Sequence, residues 1–172
     1  MLTVKATIEY DGTGYRGWQR QPHHPTIQSE MEKAVARIIH LPVSVVAAGR
    51  TDAGVHAWGQ VVSFQSDKLL SPIQWRRALN ALLPPDICVR AVERVPDTFH
   101  ARYSAKSKRY RYSILNRPDR SAIDRFRAWH LAKPLEISAM EEAAQACLGT
   151  FNFSSFQSSR TKITNPICTI EQ

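Results

Sequence analysis

The chain has 172 residues, 43% hydrophobic and 22% charged, with a formal net charge of +8. That length allows one domain with a proper core, or one small domain and part of another. No apolar run reaches membrane-spanning length, the N-terminus lacks the basic start, apolar run and cleavage site of a signal peptide, and Cys88, Cys147 and Cys168 match neither a disulfide framework nor a zinc spacing. A cytoplasmic protein with reduced thiols and no membrane partner is the expectation.

In chain order, Leu2, Val4, Ala6, Ile8 and Tyr10 alternate with polar residues, the period of a strand with one buried face. Asp11-Gly12-Thr13-Gly14 reads as a turn, followed by a loop to Pro25 in which Tyr15 and Trp18 either contact a ligand or cover the core edge. Apolar positions 27, 31, 34, 35, 38 and 39 predict a helix capped by Thr26 and ended before Pro42. Strands are expected over 43–48 and 58–65. Ser71-Pro72 starts a second helix, which stops before Pro84-Pro85, and a further strand runs through residues 87–95. The order β-α-β-β-α-β is that of an α+β, ferredoxin-like split unit with a mostly antiparallel sheet and two helices on one face. It defines a first domain at residues 1–98.

A second, basic segment spans residues 99–172. Residues 107–115 alternate as a strand would, and 128–131 form a short one. Ser138-Ala139-Met140-Glu141 reads as a capping box, before a helix with Ala143, Ala144, Cys147 and Leu148 as its buried stripe and Gly149 at its close. Ile163 to Ile170 starts another strand. From Phe99 to Lys133 there are ten cations against two acids, while the rest of the chain is neutral. A polyanion-facing surface explains that concentration, although a solvated charged face stays open as an alternative. The interleaved Tyr103, Tyr110, Tyr112, Phe126 and Trp129 favour nucleic acid, because aromatic planes stack on bases where cations meet phosphates.

Between the second and third strands lies Gly49-Arg50-Thr51-Asp52-Ala53-Gly54-Val55-His56-Ala57, which concentrates a carboxylate, a guanidinium, an imidazole and two glycines. Arg50 and Asp52 are two apart, so in extended chain both leave the same face and the cation keeps the acid ionised. Such a carboxylate serves as nucleophile or general base. A polar connection whose Asp and Gly only satisfy turn geometry accounts for the stretch equally well. His56 and His100 read as hydrogen-bonding residues rather than acids or bases. Asp11 and Asp86 read as turn or capping residues, which disfavours a two-carboxylate glycosidase. Neither a metal-ligand spacing nor a nucleotide-binding glycine fingerprint is present.

The nonapeptide with the following Gly-Gln-Val and Phe64 resembles the catalytic motif of the TruA family of tRNA pseudouridine synthases. Further blocks fall in the family's order: Tyr10-Asp11-Gly12, Tyr15, Gly17-Trp18-Gln19-Arg20-Gln21, Leu79-Asn80 with Leu83-Pro84 and Asp86-Ile87, Phe99-His100-Ala101-Arg102, and Tyr110-Arg111-Tyr112. The resemblance implies isomerisation of uridine to pseudouridine in the tRNA anticodon stem-loop, without cofactor or metal. Asp52 would be the nucleophile, through attack on sugar or base or through a glycal. Arg50 would pair with Asp52 and hold the extruded nucleotide's place, and Tyr110 would stack on the target uracil. Phe99, His100, Ala101, Arg102 and Tyr103 would line the RNA path, with Lys108, Arg109 and Arg160 on phosphates. Such enzymes are homodimers of two related halves, and this chain resembles their first two thirds. Cys168 stands where the family commonly has arginine, and the final apolar and strand segment is not present in this sequence. The alternative is a truncated, catalytically impaired RNA-binding protein. A single-stranded RNA binder of the RRM type ranks last, for want of its aromatic pattern.

Overall fold

The computed structural model describes residues 1–157 and 165–171, and contacts divide it into two compact units. The first comprises residues 1–113 and 123–129; the second comprises 114–122 and the described residues from His130 onward.

In the first unit, β1 (Leu2–Tyr10), α1 (Ile27–Ile39), β2 (Val46–Ala47), β3 (Ala57–Ser66), α2 (Pro72–Leu82) and β4 (Ile87–Val95) follow the β-α-β-β-α-β order. The sheet runs β2-β3-β1-β4 with every pairing antiparallel, the ferredoxin-like arrangement expected from the sequence. Both predicted helix starts form as capping boxes, Thr26 with Ser29 and Ser71 with Gln74, and Pro72 occupies the first turn where no backbone donor is needed. His40 ends α1 in the left-handed conformation, its N–H on the Ala36 carbonyl.

The period-two face of β1 becomes the core: Val4, Ala6, Ile8 and Tyr10 are buried with Val62, Phe64, Ile87 and Val89 against Ile27, Met31 and Val35 of α1 and Trp75 and Leu79 of α2. Phe64 meets Trp75 edge to face, with ring centroids 5.3 Å apart. Trp75 is the principal anchor of α2, whereas Ile73 is exposed. The opposite sheet face is polar, with Lys5 on Glu93 at 3.2 Å and Arg90 on Glu9 at 2.9 Å. At the sheet's β4 edge, the Asn80 carboxamide accepts from the Val89 N–H (2.7 Å) and donates to the Val89 carbonyl (2.9 Å). One side chain thereby occupies backbone groups that an edge strand otherwise leaves open.

The second unit holds β5 (Ile114–Asn116), which pairs with β6 (Trp129–Leu131), and His130 and Leu131 of that strand, then α3 (Ile137–Gln145), β7 (Gly149–Asn152) and β8 (Ile167–Ile170), the last two pairing antiparallel. Several expectations fail here. The strand foreseen over 107–115 is limited to Ile114–Asn116, because alternation yields a strand only where another strand offers an edge. Ser138 caps nothing: the helix starts one residue earlier, and the Ser138 hydroxyl donates to Glu136 Oε1 at 2.7 Å. The stripe of Ala143, Ala144, Cys147 and Leu148 is not buried, since no residue of α3 is and Cys147 and Leu148 are only half-covered. Strand β2 is likewise two residues rather than six. Among the described residues no hydrophobic side chain beyond Ala101 is buried.

Stability should therefore reside in the first unit. Met31→Ala, at a fully buried site, is expected to cost about 2–5 kcal/mol, whereas Met140→Ala on exposed α3 should stay within about 0.5 kcal/mol. Urea denaturation of the two variants checks this.

Candidate active loop and nucleic-acid interface

Residues 49–56 leave β2 and return into β3, and polar contacts close their neck. The Ala48 N–H donates to the Val61 carbonyl (2.8 Å), and Gln60 Nε2 donates to the Gly49 carbonyl (2.7 Å). In β3 the register against β1 shifts between Gln60 and Ala57, a bulge at residues 58–59 beside the loop that re-aims the chain.

The loop's backbone is gripped by the segment that follows β1. Trp18 N–H donates to the Thr51 carbonyl (2.9 Å), Gly54 N–H to the Tyr15 carbonyl (3.3 Å), and the Tyr10 and Thr51 hydroxyls meet at 2.8 Å. Within the loop, Val55 N–H donates to the Asp52 carbonyl at 3.2 Å. Trp18 is 2% exposed and Tyr15 is also buried, so both are packing residues rather than ligand contacts. The Tyr15 hydroxyl donates to Asp86 at 2.6 Å, and burial with that carboxylate raises the phenol's pKa. Burial likewise raises that of Tyr10, the Thr51 contact opposing it.

Two glycines make the grip possible. A Cβ on Gly12 would stand 2.0 Å from the Val55 carbonyl oxygen, and one on Gly17, whose φ is +86°, would stand 2.6 Å from the Thr51 carbonyl oxygen. No side chain fits either place. Buried Glu32 steadies the approach to β2: it accepts from Val45 N–H (3.2 Å) and from Gln28 Nε2 (2.9 Å), and Arg20 reaches it at 3.4 Å. Gly12, Gly17, Gln60 and Glu32 were not read as positioning residues from sequence. Glycines in the motif blocks were a signal for the first two; the last two gave none.

Asp52 and Arg50 are both exposed, and among the described residues neither side chain enters a hydrogen bond or ion pair. The expected Arg50–Asp52 pair is not formed. The i, i+2 rule holds for extended chain, and Asp52 here opens a turn instead. The site thus combines an immobilised backbone with an available carboxylate.

The basic segment crosses the helix-free face of the sheet. Ala101 is buried, its N–H on the Ser63 hydroxyl at 3.1 Å, and Phe99 and His100 line a cleft of about 410 Å³ with Thr3, Ser63 and Gln65. His100 stacks on Tyr103 at 4.4 Å, and the Arg102 guanidinium lies 5.7 Å from the same ring. Further on, the Lys108 side chain passes 3.4–3.6 Å from where a Gly49 Cβ would be, and Arg111 stacks on Trp58 at 4.6 Å. From Ser63 to Trp58 is roughly 17 Å at about 3.3 Å per residue, so residues 101–111 run from the far part of β3 to both ends of the active loop. Tyr110, 66% exposed, lies on the stretch between those two anchors. Arg109 is exposed, and Arg160 lies outside the described residues.

A second set of contacts joins the loop exit to residues 123–129. His56 Nδ1 accepts from Gly12 N–H (3.1 Å) and lies 3.1 Å from Asp11 Oδ1, His56 Nε2 meets the Phe126 carbonyl (2.7 Å), and Arg127 pairs with Asp11 at 3.0 Å. The Thr13 hydroxyl and N–H, then Arg127 and His56, lower the Asp11 carboxyl to about 2. No group of three metal-ligating side chains occurs among the described residues, and no helix among them is long and apolar enough to cross a membrane.

Residues 6–104 match the sequence family described as tRNA pseudouridine synthase. The chain is 42% identical over 170 residues to tRNA pseudouridine synthase A of Pseudoalteromonas translucida, covering 99% of this chain and 64% of that protein. It is 48% identical over 156 residues to the protein of that name from Aeromonas salmonicida, covering 91% and 58%. To the one from Escherichia coli K12 it is 45% identical over 159 residues, covering 92% and 59%. With a family match across more than half its length, the chain belongs to the tRNA pseudouridine synthase family, and it spans about three fifths of the length of these three relatives.

Two outcomes follow from the geometry. Gly12→Ala should destabilise the protein by about 1–3 kcal/mol or more, because the obstructing atom is backbone; chemical denaturation measures it. Asp11, depressed in the folded state, contributes stability that is complete above its unfolded value of 3.8 and is lost as pH falls through about 2. The urea-midpoint advantage of the wild type over Asp11→Asn should therefore shrink between pH 4 and pH 2.

Proposed function

We propose that the chain acts in tRNA as a uridine-to-pseudouridine isomerase, with the anticodon stem-loop as its target. The observation that carries this reading is the exposed Asp52 carboxylate on a backbone fixed at Thr51 and Gly54, at the end of a basic and aromatic strip. The isomerisation breaks the bond from ribose C1′ to uracil N1 and forms one from C1′ to C5; the proton on C5 is lost and N1 gains one. Atoms and electrons balance within the nucleotide, so nucleophilic and acid-base groups suffice.

Asp52 is the nucleophile in this reading. Preorganisation matters because a carboxylate held near its target avoids the entropy of finding it. A uridine within a stem must first leave the stack. Arg50, exposed two residues before Asp52, would take the space the nucleotide vacates, and Tyr110 would supply the plane on which the uracil rests. Arg102, Tyr103, Lys108 and Arg109 would guide the backbone, with Phe99, His100 and Ala101 shaping the strip at its start. Arg160 is a further phosphate candidate. Residues 1–98 are read as the domain bearing the catalytic loop and 99–172 as the opening of the second domain. A homodimer in the cytoplasm completes the proposal.

The test is incubation of the purified chain with tRNA and mapping of pseudouridine. Asp52→Ala should lower product formation by roughly 10⁴-fold or more, the scale on which loss of a nucleophile acts, while the Kd for tRNA stays within about threefold of wild type. Tight binding by the wild type without product would leave an RNA-binding protein in place of an isomerase.

A further inference from the structure

Asp11, His56 and Arg127 have no part in the chemistry above, yet their side chains meet in a cluster of charged and titratable contacts beside the active loop. The Phe126 carbonyl can only accept, so Nε2 carries the proton; on the other side of the ring Nδ1 faces the Gly12 N–H, which donates, and the Asp11 carboxylate at 3.1 Å, which accepts. The ring therefore joins three segments: the turn after β1, the exit of the active loop, and residues 123–129. Arg127 adds a second tie from the last segment to the first at 3.0 Å. The Phe126 ring, on the residue whose carbonyl His56 holds, is 58% exposed and lies under the Arg125 guanidinium at 4.5 Å. Cation and plane together are the pair that meets a phosphate and an adjacent base.

We propose that His56 is a positioning residue: through its Nε2–H it holds residues 123–129 at the exit of the active loop, with Arg127 on Asp11 as the companion tie, so that Arg125 and Phe126 contact the RNA flanking the reacting nucleotide. The proposal rests on the RNA-directed reading of this loop, but not on catalysis by it. His56 follows Asp52 by four residues, so the RNA contact is registered directly to the proposed nucleophile. The other charged groups on the elements bearing this cluster are Arg50 and Asp52 in the loop and Asp124 and Arg125 in the docked segment. Asp124 takes part in that segment's own turn, its carbonyl accepting from the Arg127 and Ala128 N–H groups.

Three measurements on the 172-residue chain test this. Long-range ¹⁵N–¹H spectra at neutral pH should show His56 with a protonated Nε2; a bare Nε2 would overturn the assignment. His56→Ala should speed tryptic cleavage after Arg125 and Arg127 by about tenfold without changing cleavage after Arg102, and should weaken the Kd for tRNA about five- to tenfold. His56→Gln, whose carboxamide N–H can still reach the Phe126 carbonyl, should recover most of both losses, which a merely space-filling histidine would not predict. Arg127→Gln should weaken tRNA binding in the same direction, and the double variant with His56→Ala should be no weaker than about twofold beyond the worse single, since both ties hold one segment. Unchanged cleavage and binding in His56→Ala, or additive losses in the double variant, would overturn the proposal. Because binding and cleavage are read without turnover, absence of pseudouridine from the wild type would sink the isomerase reading while leaving this one to be judged on its own data.

Discussion

The structure depends on the grip of residues 10–18 on the backbone of the active loop. A connection of nine residues between two strands ordinarily samples many conformations, and fixing each residue costs roughly 1–2 kcal/mol of backbone entropy. Here Trp18 and Tyr15 spend their main-chain groups on Thr51 and Gly54, and Tyr10 adds its hydroxyl. The same residues bury their rings in the core. The grip is thereby part of the hydrophobic cluster rather than a surface ornament, and the entropy of ordering the loop is met during folding instead of at the encounter with a ligand. Gly12 and Gly17 are the condition for it, since a single methyl group at either would push the two segments apart.

Around that fixed loop, charge and aromatic surface are distributed by simple chain geometry. After β4 the chain has no place on the helix-covered face, which is already filled by Met31, Trp75 and their neighbours. It crosses the opposite face, seats Ala101 on Ser63, and delivers Lys108 and Arg111 to the two ends of the loop. One crossing thus carries Lys108, Tyr110 and Arg111 past the two ends of the loop that bears Asp52. The ties through His56 and Arg127 fasten a second basic stretch to the loop exit.

What the sequence made legible were features with a local cause. Thr26 and Ser71 cap helices through their own neighbours three residues on, and the alternation of β1 expresses one buried face, so both could be read from spacing. The loop was legible as a site because its residue types are rare together. Less legible was everything set by a partner distant in the chain. Asn80 closing the edge at Val89, Glu32 bracing Val45 and Gln60 closing the loop neck have no period. Tyr15 and Trp18 lie in a glycine-rich turn, where pattern offers no face to assign. Alternation in residues 107–113 and the apolar stripe of α3 misled for a related reason: among the described residues neither finds the opposing strand or surface that turns a pattern into structure. The Arg50–Asp52 pairing failed because it assumed extended backbone where Asp52 opens a turn.

Preorganisation of the loop before RNA arrives is the central claim, and amide hydrogen exchange at Trp18 and Gly54 in the RNA-free protein tests it most directly. Both N–H groups should exchange as slowly as those of β1 at the sheet centre, because releasing either requires opening the core. Exchange at the rate of an unstructured peptide would show that the loop is ordered only by its substrate, and the account would be wrong.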